Sequence, residues 1–593
     1  PTAVCAVLSL LRLAPIICIL LISDNFLLIS STFSILKHPA QENHKMITIY
    51  VVKDTYLHKI VINLNTEILD IHNIICCGFY VTCMAVDVVW FKRDLRCRDH
   101  APLLCASLSG RPVLCLFMIE TQRLKLKDTS PLHINWELDC AVALSKDVKK
   151  IGLDIHFHIG DAREILEGIH CKHGIYRILS HEETGNSWSY ERDKMISEWC
   201  RSKDIIWDEY PNNGVIRKLK NRDFWKRERD SRMRIPINEP PLFSNGIIFD
   251  ENIPKMNDLG LENSVRKDWP EAGEEAAIKR LNEFLDNDSK RYSQSISSPI
   301  LSIKHGSRLS PYFTTGVLSM RRVVQKTNEK INFIKKNKET IEHHSSWIRS
   351  LSSFRRRLAW RCHFIQKLEM ESNLDLVAQN PLIEKNMDRR LDPYRFDRWA
   401  NGNTGWPFFD ACMRQLKSTG WINFRMRAMM MSCASYNLWL PWKETGEYLA
   451  KLFLDYEPGI HWSQVGMQSG TTGINTIRAY SMTKQGKDHD PNGEYIRKWV
   501  PELSMVPTDY IHEPWKMSEK IQESIIFQIG KDYPEPILNE IESRKEGIKK
   551  SYSARKGDDV RNISRQILKR HGSRSKTRKK TTSKSTTIQK KLF

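Results

Sequence analysis

No C-x-x-C pair occurs among the 14 cysteines, and only Cys362, Cys412 and Cys433 lie beyond residue 200. The pattern excludes a disulfide framework and reads as reduced intracellular thiols. Three thiolates in the long C-terminal part also cannot supply the four ligands that an iron–sulfur cluster usually takes. There is no G-x-G-x-x-G, so dinucleotide binding of the nicotinamide type has no support. Long unbroken apolar runs are missing too. Residues 3–35 are apolar, but Arg12, Pro15 and Asp24 interrupt them. A spanning helix needs about 20 apolar residues in a row. The basic start and small-residue cleavage site of a signal peptide are not evident. Residues 1–83 are therefore expected to be an upstream or disordered extension, not a native anchor, and the protein to be soluble and cytoplasmic. Acidic residues are absent from Arg561 to Phe593, where twelve Lys and Arg fall. That is over half of the net charge of +21, and such an excess points to a polyanionic partner.

What is present is an ordinary globular composition, 41% hydrophobic and 27% charged. Short apolar runs at Val86–Phe91, Pro112–Ile119, Asp154–His158, Ile175–Leu179 and Ile205–Trp207 alternate with amphipathic stretches such as Leu132–Ile151. This alternation predicts a doubly wound parallel sheet over residues 84–212. Residues 213–272 are rich in Pro, Asn and charge and read as a connector. From Glu274 the apolar period turns helical, which predicts an all-α domain over 273–515. Residues 516–593 mix Lys, Arg, Ser and Thr with few aromatics and are expected to be largely disordered. The fold class is α/β plus all-α.

Trp90-Phe91-Lys92-Arg93-Asp94-Leu95-Arg96 ends the first run, at the carboxyl edge where such sheets bind ligands. It resembles the opening signature of the DNA photolyase and cryptochrome superfamily, and the resemblance recurs in order to about residue 515. The resemblance implies FAD in the helical domain, an antenna chromophore of folate or deazaflavin type in the α/β domain, and UV-damaged DNA as partner. Gly306-Ser307-Arg308-Leu309-Ser310 offers hydroxyls and backbone N–H groups to phosphate. It is similar to the family segment that holds the flavin diphosphate, with Gly306 where Thr is usual. Tyr292 is similar to a tyrosine on the same phosphates, and Ile296 replaces a customary Arg. Trp360 and Phe364 are four apart and share a helix face. The resemblance sets Trp360 between the flavin and a flipped-out lesion, with Arg361 and Phe364 at the cofactor.

The stretch Trp421-Ile422-Asn423-Phe424-Arg425-Met426-Arg427 and the later Asp455-Tyr456-Glu457 extend the resemblance. Arg427 is expected to pair with Asp455 beside the reactive flavin edge, where a cation stabilises a reduced anionic ring. Tyr456 and Glu457 are expected under the flavin. His461 is expected to face flavin N5, where an imidazole can exchange a proton. Trp360, Arg427, Asp455 and His461 form the expected catalytic set. Trp360, Arg357, Trp421, Arg425 and Met467 are the expected DNA contacts. No metal is expected: His489 lies between two Asp, but one loop His rarely suffices.

The pattern departs from the family at several positions. Arg357 stands where an acidic residue usually binds the damaged bases. Phe424, Ala428 and Met467 replace an Asn, a Met and a Trp on the lesion side. Of three relay tryptophans only Trp442 remains; Val465 takes the flavin-proximal place and Arg389 the outer one. Trp462, Trp439 and Tyr480 stay open as another electron route. The function expected is a light-driven lyase that splits pyrimidine dimers, cyclobutane type favoured over (6-4), working as a monomer without an obligate protein partner. The alternative is a cryptochrome-like photoreceptor without repair activity. The lost acid and the broken relay favour that alternative; the basic tail favours work on DNA.

Overall fold

A computed structural model describes residues 85–248 and 252–572, together with the backbone of four strands nearer the start. These are β1 (Ile17–Ile22), β2 (Asn25–Ser31), β3 (Met46–Lys53) and β4 (Tyr56–Asn63). They pair in sequential order as one antiparallel sheet, within a unit of its own. They fall within residues 1–83, read from the sequence as an upstream or disordered extension. A run too broken for a spanning helix can still pair when it is rich in Ile, Val, Thr and Tyr. The basic stretch 573–593 lies outside the described residues.

From Ala85 onward the chain forms a second compact unit. Its sheet comprises β5 (Val86–Phe91), β6 (Val113–Glu120), β7 (Ile155–Gly160), β8 (Ile175–His181) and β9 (Ile206–Tyr210). All pairs are parallel, in the order β7-β6-β5-β8-β9. The five strands fall where the apolar runs predict. Every residue of β5 and β6 is buried, as central strands covered on both faces should be. Strand order reverses beside β5, so its carboxyl end is the topological switch point where α/β sheets bind ligands. Lys92 to Arg96 follow that end.

The helices used below are α1 (Pro131–Lys149), α2 (Glu274–Asp286), α3 (His344–Met370), α4 (Phe424–Ser432), α5 (Trp442–Leu452) and α6 (Pro458–Ser469). Sheet and helices share a core: Phe91 and Val148 belong to the same apolar cluster as Leu281, Phe284, Leu351 and Phe354. On α1, Trp136 Nε1 donates to the Pro311 carbonyl at 3.1 Å. The connector follows the sheet, with Phe243 N–H donating to Ile151 O at 2.9 Å and Ile247 N–H to Val113 O at 3.0 Å. The sheet and helical parts are thus layers of one body. Among the described residues no helix is long and apolar enough to cross a membrane.

The expected disorder from residue 516 is corrected up to residue 572. Helices α7 (Glu540–Ser553) and α8 (Asp558–His571) lie there. The Tyr533 hydroxyl donates to buried Asp410 at 2.5 Å. Gly547 approaches the Tyr436 backbone so closely that a Cβ would sit 2.0 Å from its carbonyl oxygen. Averaged charge hides the local signals. Asn539 caps α7, and Val560 and Ile567 lie seven residues apart on the buried side of α8.

Candidate functional site

Two cavities abut inside the helical layer. The first, of about 280 Å³, has one wall from Tyr292 and the turn Gly306, Ser307, Arg308 and Ser310. Leu309 faces the core instead, fully buried, and anchors that turn. Arg308 is left-handed at φ 55°, a conformation costly for a side-chain-bearing residue. Its guanidinium lies 3.9 Å from the Trp421 ring centroid. Burial pushes its pKa down to about 10, opposed by Asp455. Trp421, expected at DNA, therefore lines the first cavity beneath this cation.

The opposite wall carries Arg361, Arg427, Asp455, Tyr456, Glu457 and His461. Arg427 and Asp455 form a two-pronged pair at 2.9 and 3.0 Å. Arg427 Nε also donates to the Ile422 carbonyl at 2.8 Å, which fixes the fork. Glu457 accepts from Arg361 at 2.6 Å and from Arg93 at 3.2 Å. Arg93 follows β5, so this carboxylate ties the switch point of the sheet to the cavity wall. His461 Nε2 lies 2.8 Å from the Gly446 carbonyl, which can only accept, so the proton sits on Nε2. Burial pushes the His461 pKa down to about 4, so the ring is neutral near pH 7 and Nδ1 is an acceptor. Four arginines, Arg308, Arg357, Arg361 and Arg427, face two carboxylates here. This donor-rich set fits a diphosphate-bearing cofactor with an anionic ring.

The second cavity, about 580 Å³, takes Trp360, Phe364, Arg425 and Met467 in its wall. Arg357, Phe424, Ala428, Gln464 and Gln468 line both cavities and form the partition. The spacing on α3 explains the division. Arg357, Trp360, Arg361 and Phe364 fall at i, i+3, i+4 and i+7, one stripe that straddles the boundary. Trp360, expected between the cofactor and the lesion, and Phe364, expected at the cofactor, both line the second cavity. Trp360 keeps 40% of its surface exposed. Sequence reasoning missed Trp225, Lys367, His571 and Arg93. Trp225 lay in the connector and His571 in the supposed tail; Arg93 belonged to a motif already singled out.

The aromatic residues behind the first cavity form a line. Tyr456 lines the cavity, and its hydroxyl donates to Asp128 at 2.6 Å and accepts from Trp462 Nε1 at 3.0 Å. Trp462 meets Trp442 edge-to-face, centroids 5.8 Å apart. Trp442 Nε1 donates to Glu384 at 2.5 Å. Gly446 makes room: a Cβ there would lie 2.7 Å from the Trp462 ring. Val465 lines the cavity, and Arg389 stacks on Trp439 at 4.6 Å.

One cluster of metal-ligating types occurs among the described residues, Asp94, His100 and His181, all buried. Its hydrogen bonds already use the ligand atoms. His100 Nδ1 accepts from Leu103 N–H at 3.2 Å, which leaves the proton on Nε2, 3.0 Å from Asp94. His181 Nδ1 lies 2.7 Å from the same oxygen. Burial raises the Asp94 pKa, but the two imidazole contacts outweigh it and hold it well below the usual range. The cluster braces the loop after β5.

A doubly wound sheet fused to a helical body, with two adjoining arginine-bearing cavities, suits a nucleotide-derived cofactor. Residues 87–218 match the family model for DNA photolyase, and residues 354–553 match that for the FAD binding domain of DNA photolyase. The chain belongs to the DNA photolyase and cryptochrome superfamily. It is 28% identical over 500 residues to a deoxyribodipyrimidine photo-lyase of Alkalihalophilus pseudofirmus, covering 80% of this chain and 98% of that one. It is 25% identical over 480 residues to a cryptochrome DASH of Gloeobacter violaceus, covering 77% and 93%. The fold is similar to a class III photolyase of Agrobacterium tumefaciens, with TM-score 0.69, 23% identity, and coverage of 80% and 98%.

Proposed function

We propose that this protein is a light-driven photolyase that splits UV-induced pyrimidine dimers, cyclobutane type, in DNA. The observation that carries the reading is the shared partition. Arg357, Phe424, Ala428, Gln464 and Gln468 line both cavities, so a cofactor in one and an extruded base pair in the other would be neighbours. When bound, reduced FAD supplies a light-driven one-electron transfer that is returned within the cycle. Arg427 and Asp455 would hold its reactive edge, Arg308 and the Ser307–Ser310 turn its phosphates, and neutral His461 an N–H through Nδ1. Trp360 would stack on a flipped base, which is how extruded lesions are read. Arg425, Arg229 and Lys367 beside the second cavity, with the basic stretch beyond residue 572, would attract phosphate. Tyr456, Trp462 and Trp442 would carry electrons to the cofactor in place of the family's route. An antenna chromophore would add an absorption band beside that of flavin.

The second reading is a cryptochrome-like photoreceptor, favoured by Arg357 in place of an acid and by Val465 in place of a tryptophan. The relatives carry both kinds of name. Oligonucleotides holding a cyclobutane or a (6-4) lesion, incubated with purified flavin-loaded protein under blue light, separate the readings. Restoration of the cyclobutane lesion supports the first. A reversible light response without restoration of either lesion supports the second.

A further inference from the structure

Arg357 is a cation without a partner at the boundary between the two cavities. Among the described residues its guanidinium has no hydrogen bond and no ion pair. Its contacts are the faces of Trp360 and Phe424, whose ring centroids lie 5.2 and 5.5 Å away. The neighbouring carboxylates are engaged elsewhere. Asp455 pairs with Arg427, Glu457 with Arg361 and Arg93, and Asp230, the one carboxylate among the described residues lining the second cavity, with Arg229 at 2.8 Å. Burial lowers the Arg357 pKa, opposed by Tyr292, while Arg425 and Arg356 add to the lowering. The fork is half-buried and its donors are not spent on any protein acceptor, so they are open to a ligand in the adjoining cavities.

We infer that Arg357 selects the substrate, reading the carbonyl edge of a thymine–thymine dimer and rejecting dimers that contain cytosine. The inference rests on the photolyase reading and deepens it. A guanidinium has five N–H donors and no acceptor. Thymine presents O4, an acceptor, where cytosine presents an N4 amino donor. With Trp360 against one base face, the fork at the partition meets the base edges, and the two O4 atoms of a thymine pair complete it. A cytosine amino group there sets donor against donor. A carboxyl at this place, as is usual in the family, can accept from an amino group; arginine cannot.

The test is dark binding, which needs no turnover. Fluorescence anisotropy of the flavin-loaded protein is read with oligonucleotides carrying a T–T dimer, a freshly made C–C dimer, the U–U dimer formed when that C–C dimer deaminates, or no lesion. The expected order is T–T and U–U together, about tenfold or more tighter than C–C, the size of one good two-pronged contact. Arg357→Gln, whose amide both donates and accepts, should lose the ranking when compared with the unaltered protein at equal flavin occupancy. Arg357→Glu should bring C–C level with or above T–T. Equal binding of T–T and C–C by the unaltered protein would overturn the inference while leaving the photolyase reading intact. So would a ranking that survives in Arg357→Gln. No preference for any lesion over undamaged DNA would instead sink the underlying reading.

Discussion

Arg427 meets Asp455 through two contacts, at 2.9 and 3.0 Å, on the wall of the first cavity. The carboxylate is buried and its partner less so, so removing the carboxylate strands a half-buried cation. Asp455→Ala is expected to weaken flavin retention at least about tenfold, ~1.4 kcal/mol. Asp455→Asn keeps the shape and should fall between. The ratio of flavin to protein absorbance after gel filtration reads both.

Acid should destabilise the protein through its buried imidazoles. Burial holds His461 at about 4, below the 6.5 of an ordinary histidine, and holds His181 and His363 at about 3. Below pH 6.5 the unfolded chain binds protons that the folded one refuses. This stability is therefore complete above pH 6.5 and is lost as pH falls through 4, amounting to about 3 kcal/mol for His461. The melting temperature should drop between pH 7 and pH 4.5. His461→Asn should drop less over the same window; an identical drop would count against the assignment.

The aromatic line predicts a kinetic defect. Trp462→Phe and Trp442→Phe should each slow photoreduction of bound flavin by about tenfold, an expectation equal to ~1.4 kcal/mol in barrier. Gly446→Ala should do the same without touching a tryptophan, because its Cβ would lie 2.7 Å from the Trp462 ring. Transient absorption in the presence of a thiol reductant follows the rate. Unchanged rates in all three would remove this route.

Two truncations should part company. Ending the chain after residue 515 removes Tyr533, whose hydroxyl donates to buried Asp410, together with α7 and α8. Burial already raises Asp410 to about 6, and losing this donor should leave the fold unstable or insoluble. Ending it after Gly572 removes eight Lys and Arg and no acid. That form should fold, bind DNA more weakly and show a shallower salt dependence, measured as the slope of log affinity against log salt.

The central strands β5 and β6 were legible because burial on both faces leaves short apolar runs, whereas the edge strands β7 and β9 are only partly buried. The α3 stripe was legible as a spacing, but a spacing does not say which cavity each side chain enters. Trp421, expected at DNA, consequently lines the first cavity, and Phe364, expected at the cofactor, lines the second. Residues 516–572 were hidden by composition, since the cap at Asn539 and the apolar positions Val560 and Ile567 are few among many charges. Arg93 was visible as a motif residue, yet its contact with Glu457 joins positions 364 apart, which no local pattern encodes.

The common core of sheet and helices limits how this family can be rebuilt. Phe91 and Val148 pack in one cluster with Leu281, Phe284, Leu351 and Phe354, and Arg93 fastens the sheet's rim to Glu457. A chimaera that borrowed its sheet layer from a relative would import a mismatched apolar face and unseat an arginine that holds Glu457 on the wall of the first cavity. The sheet and helical layers here cannot be exchanged as separate parts unless the packing face of the helical layer travels with them.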